Sequence, residues 1–278
     1  MERFAEPHII EIPKIADPRG NLSFVQFPEV SPFHPGEVEW FYDIMSDSAR
    51  SPWQSFDNHL MIVCVSGAFD VVVKVDSNEK EFRLDRCYRA LFIPERYEFR
   101  IKNFVTNSAG LIIKEGKADA DKICEAPTDS VIQNSHIDSN IDDVRVITLD
   151  INSGKSGKSS GVINGDNVLP FDVRRIFYLY DVPAASVRGG HSHYQGRELI
   201  VAVSGAFQVE LDDGMNRRRW TLDRPFHGLY VPTGLWRVID SFSGGAVCMV
   251  LTSTDFKESD YVRSYDDFLR LTAPKRQR

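Results

Sequence analysis

The chain has 278 residues, 42% of them hydrophobic and 11% aromatic, enough for one large or two ordinary globular domains with filled cores. Its 33 Lys and Arg against 40 Asp and Glu give a formal net charge of −7, which argues against general nucleic-acid binding while leaving room for a local basic pocket that takes a phosphorylated small molecule. No apolar signal region opens the chain, no apolar run approaches membrane-spanning length, and the four cysteines (Cys64, Cys87, Cys124, Cys248) lack CxxC spacing, so a cytoplasmic protein with buried thiols and no membrane partner is expected.

From the N-terminus, the first block that repeats is Ser66-Gly67-Ala68-Phe69, which returns 138 positions later as Ser204-Gly205-Ala206-Phe207. The same offset pairs Pro32-Phe33 with Pro170-Phe171, Leu84-Asp85-Arg86 with Leu222-Asp223-Arg224, and Asp43, Arg50, Pro94 and Phe104 with Asp181, Arg188, Pro232 and Phe242. So many identities at one gap-free offset mean two copies of one domain, divided as 1–135 and 136–278. The polar stretch 114–143 reads as the joint between them. Residues 152–160 contain a Gly-Lys-Ser-Gly-Lys-Ser string that lacks the Walker glycine spacing and a following helix, and they read as a flexible loop.

The second copy then runs through short apolar and β-branched segments: Arg175 to Tyr180, Glu198 to Val203, Phe207 to Leu211, Arg217 to Leu222, Gly228 to Val231 and Ala246 to Leu251. Regular short strands divided by Gly, Pro and Asp predict an all-β protein whose copies are barrels or jelly rolls. Glu258 to Leu269 reads as a short amphipathic helix before a basic tail.

The chemistry concentrates in Arg188-Gly189-Gly190-His191-Ser192-His193, with Glu198 close behind. On a strand, the i, i+2 spacing points both imidazoles to one face. Three readings fit. The pattern His191-x-His193-x4-Glu198-x6-Gly205 matches most of the first metal motif of the cupin superfamily, so these three side chains could hold a metal. After Pro232-Thr233-Gly234, however, where such a protein places a further histidine, the chain has Arg237, which cannot be a ligand. Alternatively, the two imidazoles perform metal-free acid–base chemistry, with Tyr178 beside them and Arg188 and Arg237 supplying charge for a phosphate or an enediolate. The bland reading is that the histidines only hydrogen-bond inside the barrel.

The signature resembles the Arg-Gly-x-His-Ala-His motif of the dTDP-sugar 3,4-ketoisomerases, a WxcM-like, RmlC-like branch of the cupins. Arg175-Ile176-Phe177-Tyr178, Leu211-Asp212-Asp213-Gly214, Gly228-Leu229-Tyr230-Val231-Pro232, Gly234-Leu235-Trp236-Arg237 and Ser259-Asp260-Tyr261-Val262-Arg263 resemble further segments of that family, from Pro170 to Leu269. The resemblance implies a small jelly-roll barrel acting as a dimer, without a metal or other cofactor. It also implies a dTDP-linked keto sugar as substrate, dTDP-4-keto-6-deoxyglucose, isomerised to the 3-keto sugar in deoxysugar biosynthesis. It assigns His191 and His193 as the acid–base pair, with Tyr178 at the catalytic centre. Arg188, Glu198, Trp236 and Arg237 line the substrate pocket. Glu198 stands where the family has Gln, and Ser192 where it has Ala.

The first copy keeps the scaffold without this chemistry. At the same offset Trp53, Ser55, Leu60, Trp40 and Phe99 replace His191, His193, Glu198, Tyr178 and Arg237. Its opening, Asp17-Pro18-Arg19-Gly20, resembles the family's Asp-x-Arg-Gly turn better than the second copy's own loop does. The fold expected is therefore two tandem cupin barrels packed as an internal pseudo-dimer, the first non-catalytic, with Trp40 and Trp53 filling its former pocket. Against the isomerase stand a sugar-nucleotide-binding protein without turnover and a metal-dependent cupin using His191, His193 and Glu198.

Overall fold

The computed structural model describes residues 5–44, 51–116, 140–154 and 157–272. In the first half lie β1 (His8–Glu11), β2 (Lys14–Ile15), β3 (Asn21–Gln26), β4 (Pro35–Tyr42), β5 (Leu60–Ser66), β6 (Phe69–Val75), β7 (Asn78–Leu84), β8 (Arg89–Ile93), β9 (Phe99–Lys102) and β10 (Ala109–Glu115). The second half repeats them as β11 (Arg145–Thr148), β12 (Asn152–Gly154), β13 (Gly157–Ile163), β14 (Arg175–Tyr180), β16 (Glu198–Ser204), β17 (Phe207–Asp212), β18 (Arg217–Leu222), β19 (His227–Val231), β20 (Trp236–Asp240) and β21 (Val247–Thr252), and adds β15 (Arg188–His193), which has no counterpart strand among the described residues of the first. Two further elements, β22 (Tyr261–Val262) and helix α1 (Tyr265–Thr272), close the chain. The helix is shorter than the sequence suggested, because Glu258–Asp260 form a 3-10 turn and the next two residues pair as a strand.

Each barrel sets a large sheet against a small one, the arrangement of the two-cupin fold. In the second barrel the large sheet has the order β11-β19-β16-β21-β14-β3-β2 and the small one β18-β17-β20-β15-β22. In the first, the orders are β1-β8-β5-β10-β4-β13-β12 and β7-β6-β9. Both large sheets thus end on a hairpin from the other half: β3 pairs with β14 (Asn21 opposite Tyr180), and β13 pairs with β4 (Lys158 opposite Tyr42). The string read as a flexible loop is, in its described part, the hairpin β12–β13, whose backbone is satisfied by pairing instead of by a phosphate.

The strands of the large sheets read as unbroken apolar runs because both of their faces are buried. Along β16, Ile200 and Ala202 face the interior of the second barrel, while Leu199, Val201 and Val203 face the other barrel. The same alternation along β5 and β10 fills the layer between the two large sheets with Met61, Val63, Leu111 and Ile113. Two hydrogen bonds cross that layer at equivalent places. The Tyr178 hydroxyl donates to the Cys87 carbonyl, and Trp40 Nε1 donates to the Pro225 carbonyl at 2.7 Å. Those two pairs are related by the 138-residue offset, so the halves meet about a pseudo-twofold axis. Cys64 and Cys248 are buried free thiols, and burial pushes the Cys64 thiol up to about 12; Cys124 lies outside the described residues. No helix among the described residues is long and apolar enough to cross a membrane.

Candidate active site

The second barrel's interior is polar at one end, and β15 builds most of that end. Gly189 and Gly190 both have positive φ (+85° and +69°), a conformation that favours glycine, and they form a bulge against β20. Arg188 lies opposite Ile239, Gly189 opposite Val238 and His191 opposite Arg237. The extra residue resets the alternation, so Arg188, His191 and His193 all share the face that looks inward.

Arg237, from the neighbouring strand, occupies the centre. Its Nη2 donates to Nε2 of both histidines, with the His193 contact at 2.6 Å, and its Nη1 pairs with the Glu198 carboxylate. Glu198 enters at the start of β16 and is 1% exposed; Arg237 and His193 are each 4% exposed. On the far side of His193, Nδ1 lies 3.0 Å from Asp260 Oδ2. Asp260 also accepts from the backbone N–H of Gln195 at 2.8 Å and of Gly196 at 3.2 Å. His193 Nδ1 thus faces an acceptor, whereas Nε2 faces the Arg237 donor at 2.6 Å with Glu198 Oε1 farther off at 3.4 Å, which favours the tautomer with the proton on Nδ1. The closing segment is pinned as well: Ser192 and His193 pair with Val262 and Tyr261, and the Tyr261 ring lies 4.3 Å from the His193 ring and 5.0 Å from the His191 ring.

The electrostatics follow from burial and from Arg237. Burial, then the Arg237 charge, push His191 well below the usual imidazole value of 6.5, so its ring is neutral near neutral pH. Burial alone would raise the Glu198 carboxyl, but Arg237 and His193 outweigh it and hold it below its usual range. Such a buried pair is costly to break, because the partner left behind is an uncompensated charge.

This geometry does not suit a cation held by His191, His193 and Glu198. The permanently charged Arg237 guanidinium contacts the carboxylate and both Nε2 atoms, so it holds the place that a cation shared by the three would need. Among the described residues, no group of three His, Cys, Asp or Glu side chains is arranged to hold a metal.

Two expected site residues stand elsewhere. Tyr178 faces the inter-barrel layer with Ile176 and Tyr180, wholly buried; burial drives its hydroxyl well above its usual value, and that hydroxyl is engaged by Cys87. The opposite parity of β14 is what faces the histidines. Trp236 lies on the outer side of the small sheet, its ring edge-on to Tyr265 and tilted against Phe268 of α1, beside an outer cleft of about 170 Å³. In strand order, Arg237 pointing inward forces Trp236 outward.

Asp260 and Arg175 are the residues sequence reasoning passed over. Asp260 was hidden in a segment read as helix. Arg175 is 5% exposed, reaches the Tyr261 hydroxyl through Nη2 at 3.2 Å, and contributes positive charge at Glu198. A lone Arg opening an apolar run was the available signal.

In the first barrel, Leu60 and Phe99 occupy the Glu198 and Arg237 positions, and with Phe41, Phe69 and Phe104 they fill the interior. Phenylalanines do this filling, and not the two tryptophans. Trp40 is in the inter-barrel layer, and Trp53 is half-buried between Lys74 Nζ and the Arg100 guanidinium, each 4.3 Å from its ring. Arg50 lies outside the described residues.

Comparison with known proteins points the same way. The family model described as FdtA: WxcM-like, C-terminal matches this chain twice, over residues 5–123 and 142–273. A curated protein of Aneurinibacillus thermoaerophilus, TDP-4-oxo-6-deoxy-alpha-D-glucose-3,4-oxoisomerase, is 38% identical over 105 residues, which are 38% of this chain and 76% of that protein. Among solved structures, QdtA, a sugar 3,4-ketoisomerase from Thermoanaerobacterium thermosaccharolyticum in complex with TDP, is 28% identical; the match covers 49% of this chain and 98% of that one, with a TM-score of 0.47. A 3,4-ketoisomerase from Helicobacter canadensis is 31% identical, with 47% and 98% coverage and a TM-score of 0.45.

Proposed function

The chain belongs to the WxcM-like family, and on that premise we propose that it is a 3,4-ketoisomerase of TDP-linked 4-keto-6-deoxy sugars, with one working site in its second barrel. The observation that carries this reading is the convergence of both imidazole Nε2 atoms on Arg237 inside a closed barrel, with Asp260 behind one ring.

The reaction moves a carbonyl from C4 to C3. A base removes the C3 proton, the electron pair forms a C3–C4 double bond, and O4 takes a proton, giving an enediol. A proton then returns to C4, O3 loses its proton, and the C3 carbonyl results. No oxidant is needed, so the protein must supply a base, an acid and stabilisation for the enediolate.

His191, neutral through burial and the Arg237 charge, is suited to take the C3 proton. His193 keeps one proton on Nδ1 facing Asp260, so that Nε2 is the nitrogen that exchanges a proton with the sugar. When no substrate is bound, Arg237 satisfies both Nε2 lone pairs. A substrate oxygen that takes over as acceptor of the Arg237 N–H groups releases the imidazoles to act and places positive charge beside the developing oxyanion. Arg188 supports the diphosphate or the enediolate.

Two alternatives make different predictions. A binding protein without turnover retains TDP affinity but makes no 3-keto sugar. In the isomerase, His191→Asn and His193→Asn remove product formation while TDP affinity, read by titration calorimetry, changes little. Wild-type protein that binds TDP and yields no 3-keto product from TDP-4-keto-6-deoxyglucose would overturn the assignment.

A further inference from the structure

The phenol that stands at the histidines is Tyr261, in the closing segment. Tyr261 pairs with His193 across β22 and β15, and residues directly opposite on antiparallel strands turn their side chains to the same face. Its ring therefore joins the face that carries the imidazoles, 4.3 Å from the His193 ring and 5.0 Å from the His191 ring. Phe256 at 5.5 Å and the Arg263 guanidinium at 4.4 Å brace the same ring.

A second, independent observation concerns what holds the hydroxyl. Arg175 opens β14 on the parity of Phe177 and Leu179, which face the second barrel's interior. It is 5% exposed, and its guanidinium lies 5.3 Å from the Phe177 ring and 5.4 Å from the Phe256 ring. Among the described residues its Nε is buried without a hydrogen-bond partner, while Nη2 donates to the Tyr261 hydroxyl at 3.2 Å. A buried cation compensated so sparingly costs stability, so packing alone does not account for it. Because a guanidinium can only donate, the Tyr261 oxygen is the acceptor and its own hydrogen stays uncommitted among the described residues. Donation into the phenol oxygen also polarises the O–H bond and makes it a stronger donor.

The isomerisation gathers negative charge on two oxygens, first on O4 as the C3 proton leaves and then on O3 as a proton returns to C4. Arg237 offers N–H groups from the Nε2 side of the histidines. We propose that Tyr261 is a further catalytic residue, whose hydroxyl, held by Arg175, donates a hydrogen bond to an enediolate oxygen that Arg237 does not serve. The phenol keeps its proton throughout: the hydrogen bond tightens while the oxygen is an oxyanion and relaxes when the carbonyl forms. Arg175 is a positioning residue that acts through Tyr261. The inference rests on the isomerase reading above.

The test uses the full chain with Tyr261→Phe, Tyr261→Leu, Arg175→Gln and the double variant Y261F/R175Q. Phenylalanine keeps the ring against the histidines and removes only the hydroxyl. Loss of one oxyanion donor predicts that Y261F lowers kcat for TDP-4-keto-6-deoxyglucose roughly 100-fold, with KM and TDP affinity within about twofold of wild type. R175Q should also lower kcat, and should add little in the Y261F background; Arg175→Lys replaces it in the cycle if R175Q does not fold. Y261F within twofold of wild type beside an inactive Y261L would reduce Tyr261 to a brace for the imidazoles and overturn the proposal. Losses in Y261F and R175Q that simply multiply would overturn the role given to Arg175. In either case an active wild type leaves the isomerase reading standing, whereas a wild type that converts no keto sugar overturns both.

Discussion

Replacing Asp260 by Asn tests whether the carboxylate behind His193 controls the reaction. Asp260 is 6% exposed and accepts three hydrogen bonds, from His193 Nδ1 and from the backbone of Gln195 and Gly196. Asparagine keeps the shape and one acceptor oxygen but turns an NH2 group toward part of this set. If that group meets His193, the ring must accept at Nδ1 and carry its proton on Nε2, where it would oppose the Arg237 donor at 2.6 Å. The loss is therefore one hydrogen bond to a charged group, about 1.5–3 kcal/mol. At about 1.4 kcal/mol per factor of ten, kcat should fall roughly 10- to 100-fold. Steady-state conversion of TDP-4-keto-6-deoxyglucose, followed by proton NMR, gives kcat, and TDP titration checks that the pocket still forms. A D260N enzyme within about twofold of wild type, alongside an inactive H193N, would refute the tautomer argument.

Other consequences concern the buried pair, the inter-barrel layer and pH. Glu198→Leu should destabilise the chain by about 3–5 kcal/mol in chemical unfolding, because Arg237 is left buried without its counter-charge. Glu198→Leu with Arg237→Phe recreates the Leu60–Phe99 pair of the first barrel and should recover much of that loss while remaining inactive. Tyr178→Phe, which removes only the hydroxyl that donates to Cys87, should cost about 1 kcal/mol of stability and leave kcat close to wild type. His191 carries a depressed value, so its contribution to stability is complete above the ordinary value of 6.5 and is lost as pH falls through the lower, folded-state value. Histidine ring NMR should find it titrating below 6.5, and Arg237→Gln, which removes a repelling positive charge, should move that titration upward.

The parts of this molecule that were legible in its sequence are those written in a period or an offset. The repeat showed because identities such as Ser66-Gly67-Ala68-Phe69 recur at fixed distance, and the His191–His193 pair showed because i, i+2 holds on any strand. Which face a strand turns inward was harder. Nearly every residue of β14 is buried, so Tyr178 and its neighbours carry no alternation to say which of them meets the histidines. Arg188 would fall on the wrong face by simple counting, and the Gly189–Gly190 bulge restores it. Hairpin exchange left no mark within either repeat, since the same pairing edges serve a strand from one's own half or from the other. Its trace lay between the repeats, in a turn motif kept by the copy that lacks counterparts of His191 and His193. Asp260 was missed because its partner is 67 positions away, closed by tertiary packing alone.

The most direct test of the central claim is proton NMR of TDP-4-keto-6-deoxyglucose with the full chain in deuterated buffer. Removal and return of protons by the two imidazoles predicts deuterium entering the sugar ring as a 3-keto product accumulates, with both signals absent in H191N. Protein that binds TDP yet leaves the C3 proton in place and forms no 3-keto sugar would contradict the account.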